Sequence, residues 1–186
     1  SRRGCPVCVN YKIVQSNCLA TKHPELLNEW DFNKNEGITP HMIGSGTNKR
    51  YWWKCNKAVD HEWLASPVNR TRNNSNCPFC VGQEVSISNC LATTHPILAK
   101  EWHPTKNGDL TPFDTTFGST KKEYWWKCDV AEDHEWLATP VKRSSGNGCI
   151  ICSGHKIVKS NSLATIYPEI AKEWHPTKNG DLTPSD

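Results

Sequence analysis

The sequence predicts a tandem array of small α+β repeats with a period of about 72 residues, each too lean in apolar residues to be held together by a core alone. Three observations carry this reading. Leu19, Leu91 and Leu163 are each 72 residues apart, as are Trp30, Trp102 and Trp174. The 186-residue chain is only 36% hydrophobic yet holds 9 Trp against 4 Phe and 4 Tyr, which favours small clusters around large aromatic anchors. Its 10 cysteines include the pairs Cys5/Cys8, Cys77/Cys80 and Cys149/Cys152, spaced at nearly the same step, so a cysteine-based staple belongs to the repeat.

Each unit opens with S-N-x-L-A-T, runs through a Pro-led segment to Glu-Trp, crosses a K-N turn to T-P, and continues through Y-W-W-K-C and D-H-E-W-L-A to C-x-x-C. Residues 9–80 and 81–152 are complete copies; residues 1–8 read as the tail of a preceding copy and 153–186 as the head of a following one. The chain is therefore expected to be a window on a longer array with neighbouring domains. Pro24 to Trp30 reads as a short helix, because Pro suits its first position, Glu25 its positive end, and Leu26 and Trp30 share a face. Pro96 to Trp102 and Pro168 to Trp174 repeat that pattern. The aromatic runs Tyr51 to Cys55 and Glu62 to Ala65, separated by a short polar stretch, read as a β-hairpin. On such a strand Trp52-Trp53 and Trp125-Trp126 point to opposite faces, so one of each pair is core and the other at least partly exposed. Trp30, Trp63, Trp102 and Trp136 are expected in the core.

The candidate metal ligands are Cys55, His61, Cys77 and Cys80 in the first copy, and Cys128, His134, Cys149 and Cys152 in the second. The spacings are Cys-x5-His-x15-Cys-x2-Cys and Cys-x5-His-x14-Cys-x2-Cys. A Cys-x2-Cys knuckle presents two thiolates to one ion, and a Cys and a His on a hairpin complete the tetrahedron that structural zinc prefers. Cys5 and Cys8 keep the knuckle without an upstream Cys and His, which makes them a half-site. Disulfides fit poorly, because a bridge across two residues is strained and Cys18 and Cys90 would be left over. Ser162 holds their register in the third copy, so Cys18 and Cys90 read as small thiols rather than ligands. His23, His95 and Tyr167 share another register, which argues against a required ligand there; His103 and His175 stand where the first copy has Asp31.

A complete Cys3His set leaves no open coordination position for a reactive water, and no partnered nucleophile or phosphate-cradling Gly loop occurs elsewhere, so the residues do not read as an enzyme. No apolar stretch approaches a membrane span, and the start carries no apolar signal core. A thiol-rich metal protein without disulfides suits a reducing, intracellular compartment.

The run S-x-L-A-x-x-x-P-E-[IL]-A-x-E-W, W-W-K-C, H-E-W, an Arg-bearing loop and C-P-x-C resembles the tandem treble-clef, zinc-ribbon-like repeats of bacteria and large DNA viruses, and the resemblance covers essentially the whole chain. It implies treble-clef-like units of β-hairpin, zinc knuckle and short helix, with zinc on the two Cys3His sets named above. Because members of that family adjoin nuclease-like domains, it also implies DNA as a partner. The second copy departs from C-P-x-C by carrying Ile150, which is not a ligand position.

A net charge of +3 decides nothing by itself, and each loaded site subtracts one, since three thiolates outweigh one Zn²⁺. DNA affinity must come from local patches. Recurring cations are the phosphate candidates: Arg70 with Arg143, Lys54 with Lys127, and Lys49-Arg50 with Lys121-Lys122. The loops before the knuckles differ between copies and carry Arg2, Arg3, Asn73, Asn74 and Asn76, side chains suited to base edges. The duplex-DNA reading stands beside two others, a zinc-stabilised protein-interaction scaffold and a single-strand binder stacking bases on exposed Trp.

Overall fold

A computed structural model describes Val7, residues 12–73 and residues 75–186; the expectations placed on Arg2, Arg3, Cys5, Cys8 and Asn74 lie outside the described residues. The chain divides into two units, one ending at Ser88 and the other beginning at Asn89.

In the first unit the L-A-T signature forms a single turn, α1 (Leu19–Lys22), followed by a 3-10 helix at Pro24–Glu29 with Pro at its start. Helices this short are unstable alone. They are held because the amides of Leu19 and Ala20 donate to the carbonyls of Ile43 (2.7 Å) and Pro40 (3.1 Å), which gives the recurring T-P segment its purpose. The expected hairpin is present as β1 (Tyr51–Lys54) paired antiparallel with β2 (Glu62–Ala65), Trp53 lying opposite Trp63. Alternation buries Tyr51 and Trp53 and leaves Trp52 half-buried. The free edge of β1 is satisfied by the Asn of the K-N turn: Asn35 donates to the Trp52 carbonyl and accepts from its amide, both at 2.9 Å. Trp30, Trp53 and Trp63 centre the core with Leu19, Ile43, Tyr51 and Cys77, and Trp30 meets Trp53 edge-on at 5.2 Å. A further helix, α2 (Pro67–Arg72), follows the hairpin, where the sequence pattern predicts no element.

The second unit repeats this order with α3 (Leu91–Thr94), α4 (Pro96–Ala99), β3 (Tyr124–Lys127), β4 (Glu135–Ala138) and α5 (Pro140–Ser144). Asn107 makes the same two bonds to Trp125, at 2.9 and 2.8 Å. Trp126 and Trp136 are buried as expected, while Trp102 is only half-buried. A 3-10 turn at Lys159–Asn161 then leads into α6 (Leu163–Ile166) and α7 (Pro168–Lys172). This third head keeps the local bonds of the complete copies, Ala164 amide to Pro184 carbonyl at 2.8 Å and the Trp174 indole to Leu182 carbonyl at 3.1 Å. Leu163 and Trp174 nevertheless remain half-exposed, because no Trp-Trp strand covers them among the described residues.

Candidate metal centre

Both four-residue sets are assembled by the same local devices. Cys55 follows β1 and His61 precedes β2, and the loop between them is closed by the Cys55 amide donating to the His61 carbonyl at 2.9 Å. Cys128 and His134 are joined identically at 3.0 Å. The knuckles form tight turns, with the Val81 amide donating to the Cys77 carbonyl and the Ser153 amide to that of Cys149.

The ligand atoms of each set lie within 4.8 Å of one another. In the first, Nδ1 of His61 is 3.6 Å from Cys77 Sγ and 3.5 Å from Cys80 Sγ, and Cys55 Sγ is 3.6 Å from Cys80 Sγ. In the second, Nδ1 of His134 is 3.7 and 3.2 Å from Cys149 and Cys152, whose partner Cys128 stands 3.7 Å from Cys152. Tetrahedral zinc with ordinary bond lengths demands S···S edges of about 3.8 Å and S···N edges of about 3.6 Å. The donor sets therefore fit zinc in chemistry and in size. Four protein ligands close the coordination shell, so bound zinc would supply cross-linking rather than activation of water.

Crowding three thiols has an electrostatic cost without a cation. Desolvation and the thiols of Cys55 and Cys77 push Cys80 up to about 12, and desolvation with Cys128 and Cys149 does the same to Cys152, also to about 12. Burial likewise raises Cys77. A divalent cation relieves this by binding the thiolate form. In the first site the ring of Phe79 stacks on His61 at 5.0 Å, while Ile151, at the equivalent position of the second knuckle, is buried in the core of its unit. Ile150 packs against the core, so the departure from C-P-x-C leaves the ligands untouched.

The structure corrects one set of expectations. Arg70 and Arg143 are buried at 6% exposure, each guanidinium lying between two indoles: Trp53 and Trp63 (4.9 and 5.2 Å), and Trp126 and Trp136 (5.2 and 5.0 Å). Arg70 pairs with Glu29 and donates to the Ser75 carbonyl; Arg143 pairs with Glu101 and donates to the Asn147 carbonyl. These guanidinium groups are engaged inside the fold, so they are not phosphate contacts. Lys49, Arg50, Lys54, Lys121 and Lys122 are exposed and Lys127 half-buried, and none forms an ion pair among the described residues. Asn73 and Asn76 are exposed.

Other registers resolve as structural. Cys18, Cys90 and Ser162 each sit before a one-turn helix and contact the Thr three residues on, at 3.3, 3.3 and 3.2 Å. His103 does what Asp31 does in the first copy: its Nδ1 accepts from the amides of Thr105 and Lys106, as Asp31 accepts from Asn33 and Lys34. Sequence reasoning missed four residues beside the sites. Asp60 and Ser88 flank His61, and Asp133 and Ser160 flank His134, through recurring D-H and S-N dipeptides whose repetition was their visible signal.

A family model described as a probable treble clef zinc finger domain matches residues 26–83 and again residues 98–155. The two spans cover more than half of the chain, and each holds one complete four-ligand set. No curated protein matches the chain. No helix of the described residues is long and apolar enough to cross a membrane.

Proposed function

The chain belongs to this treble clef zinc finger family, and from that premise we propose a zinc-dependent, modular DNA-binding protein that engages duplex DNA through its repeats. The repeats are those of residues 9–80 and 81–152, flanked by partial copies at 1–8 and 153–186, with a Cys5/Cys8 knuckle in the first. The role is binding rather than catalysis, since each closed Cys3His shell offers no site for a reacting ligand. A chain that needs reduced thiols works in a reducing compartment.

One observation carries the DNA reading. With Arg70 and Arg143 inside the fold, the exposed cations Lys49-Arg50 and Lys121-Lys122 lie just before β1 and β3, so each copy carries two cations at this entry, with Glu123 standing between the second pair and its strand. Lys54 and Lys127 add one more on each strand. Cations recurring on repeated units suit a partner whose phosphates also repeat. The loops holding Arg2, Arg3, Asn73, Asn74 and Asn76 are the base-edge readers of this proposal.

A second reading is favoured by the outer hairpin face. Trp52 pairs across the strands with the exposed Leu64, and Trp125 with the exposed Leu137, giving each copy a small apolar strip. Such a strip fits a protein partner, or unpaired bases stacking on Trp.

Titration of the zinc-loaded chain with labelled duplex and with labelled single strand across a range of salt separates these. Duplex affinity should fall linearly on a log–log plot, by about 0.9 per phosphate neutralised. Preference for the single strand would favour stacking, and absence of salt-dependent binding would favour a protein partner.

A further inference from the structure

The two metal-binding histidines share a contact that their ligand role does not require. Nδ1 of His61 faces the thiols of its set, so a metal bound there leaves the ring proton on Nε2, which lies 2.9 Å from Ser88 Oγ and is placed to donate to it. Nε2 of His134 stands in the same relation to Ser160 Oγ, at 3.1 Å. Each serine is gripped a second time: the Ser88 amide donates to Asp60 Oδ2 and the Ser160 amide to Asp133 Oδ2, both at 2.9 Å. Asp60 and Asp133 immediately precede the histidines, so each D-H pair holds one serine by its hydroxyl and its amide.

By sequence these serines belong to the copy after the one whose metal site they touch. Ser160 opens the S-N-S-L-A-T run of the third head, yet meets the second site; Ser88 lies 72 residues earlier and ends the first unit. The asparagine of the run makes a companion bond. Asn161 donates to the carbonyl of Ile151, inside the Cys149–Cys152 knuckle, at 3.0 Å, and Asn17 donates to Val7, the same knuckle position, at 2.9 Å. The third S-N segment is thus built onto both the knuckle and the D-H pair that come before it in the chain, and Ser88 onto the D-H pair before it.

We infer that Ser88 and Ser160 are positioning residues for the metal-binding histidines, so that the zinc site of each copy is completed by the opening segment of the next. The physical ground is the second nitrogen of a ligand imidazole: an acceptor on it fixes the tautomer and ring orientation and raises the basicity of the ligating nitrogen. The acceptor is a hydroxyl contributed from about 27 residues downstream of the ligand, well outside the knuckle and hairpin. By linkage, whatever Ser88 adds to metal affinity is returned as tighter fastening of the S-N segment when metal is bound. The inference rests on the zinc sites and is independent of what the protein binds.

The test uses the full chain. Zinc affinity at both sites is read by competition with a chromophoric chelator. Ser88→Ala should weaken one of the two sites by about 10-fold to 100-fold and leave the other unchanged, while Ser160→Ala does the reverse. Ser88 is exposed and Ser160 half-buried, so both variants retain their packing. Ser88→Thr keeps the acceptor oxygen and should restore affinity. A direct signature comes from NMR of the zinc-loaded chain: the Nε2 proton of His61 should exchange slowly with water in the native and Ser88→Thr proteins and fast in Ser88→Ala. Native affinity at both sites, an unaltered Nε2 proton, or equal weakening of both sites in Ser88→Ala would overturn the inference.

Discussion

The guanidinium of Arg143 is bonded to the carboxylate of Glu101 while lying between the rings of Trp126 and Trp136, and Arg70 repeats the arrangement with Glu29, Trp53 and Trp63. One side chain thereby joins the head helix, the hairpin and the loop before the knuckle. Removing it leaves a partly buried carboxylate, an unfilled slot between two indoles and a loop carbonyl without its donor. Arg70→Ala and Arg143→Ala should each destabilise their unit by about 3 kcal/mol, read as a lowered denaturation midpoint. Lysine should rescue poorly, since it lacks the planar fork and stacking surface. A stable Arg70→Ala chain with weakened nucleic-acid binding would return the residue to the surface.

Metal removal should unfold the units rather than soften them. Each core is a few Trp and Leu side chains around the cysteines themselves, and a structural zinc of this kind supplies folding free energy on the order of 10 kcal/mol. Elemental analysis should find about two zinc ions per chain, one for each described Cys3His set. Circular dichroism and Trp emission that survive verified chelation would show that the cores suffice.

The hairpin, the Pro-led helices and the two Cys/His/Cys/Cys sets that could hold zinc were legible because each rests on a local pattern: alternation on a strand, Pro at a helix start, Cys and His spacing. The position of Arg70 was not. A cation that recurs at the same register looks the same whether it serves a phosphate or an internal carboxylate, and Glu29 lies 41 residues away in sequence. The helix that carries it, α2, has six residues, too few for a periodic signal. Asn35 and Ser88 were likewise visible as repeated letters, but their partners, the Trp52 backbone and the His61 ring, are 17 and 27 residues distant.

Cys55→Ser and Cys18→Ser should separate ligand from bystander. Cys55 Sγ stands within the first metal set, so its loss should release one zinc and unfold the first unit while the second keeps its metal. Cys18 is fully buried against Thr21, but Ser162 makes the equivalent contact in the third head, so a hydroxyl fits the site. Its substitution should leave zinc content unchanged. Equal zinc release from both variants would refute the assignment.

The pH dependence follows from the thiols. With Cys80 and Cys152 raised to about 12 by desolvation and neighbouring thiols, these two thiols hold their protons at neutral pH in the metal-free chain, and zinc must displace them. Loading should release protons into unbuffered solution, and affinity should rise as pH rises. The stability that zinc confers is then present at neutral pH and above and is lost on acidification, as protons win back the thiolates. A zinc affinity that stays flat between about pH 6 and 8 would contradict this.

Phosphate contacts on duplex DNA position a protein without carrying sequence information, whereas contacts to base edges specify, so two groups of substitutions should behave differently. Replacing Lys49 and Arg50, or Lys121 and Lys122, by Ala should weaken binding to all duplexes alike and lower the salt slope by about one for each phosphate no longer neutralised. Asn73 and Asn76 stand exposed on the loop before the first knuckle, where the second copy has Ser145 and Gly148. Grafting Ser145-Gly146-Asn147-Gly148 into the first copy in place of residues 73–76 should change which sequences are enriched from a random duplex library, at about 1–3 kcal/mol for each base edge no longer bonded. The graft leaves the zinc ligands and the Arg70–Glu29 pair in place, so zinc content and denaturation midpoint should hold while preference shifts. An unchanged preferred sequence would show that these loops do not read bases, and failure of the native chain to enrich any duplex would favour the outer Trp52 and Trp125 strips as a protein-binding face.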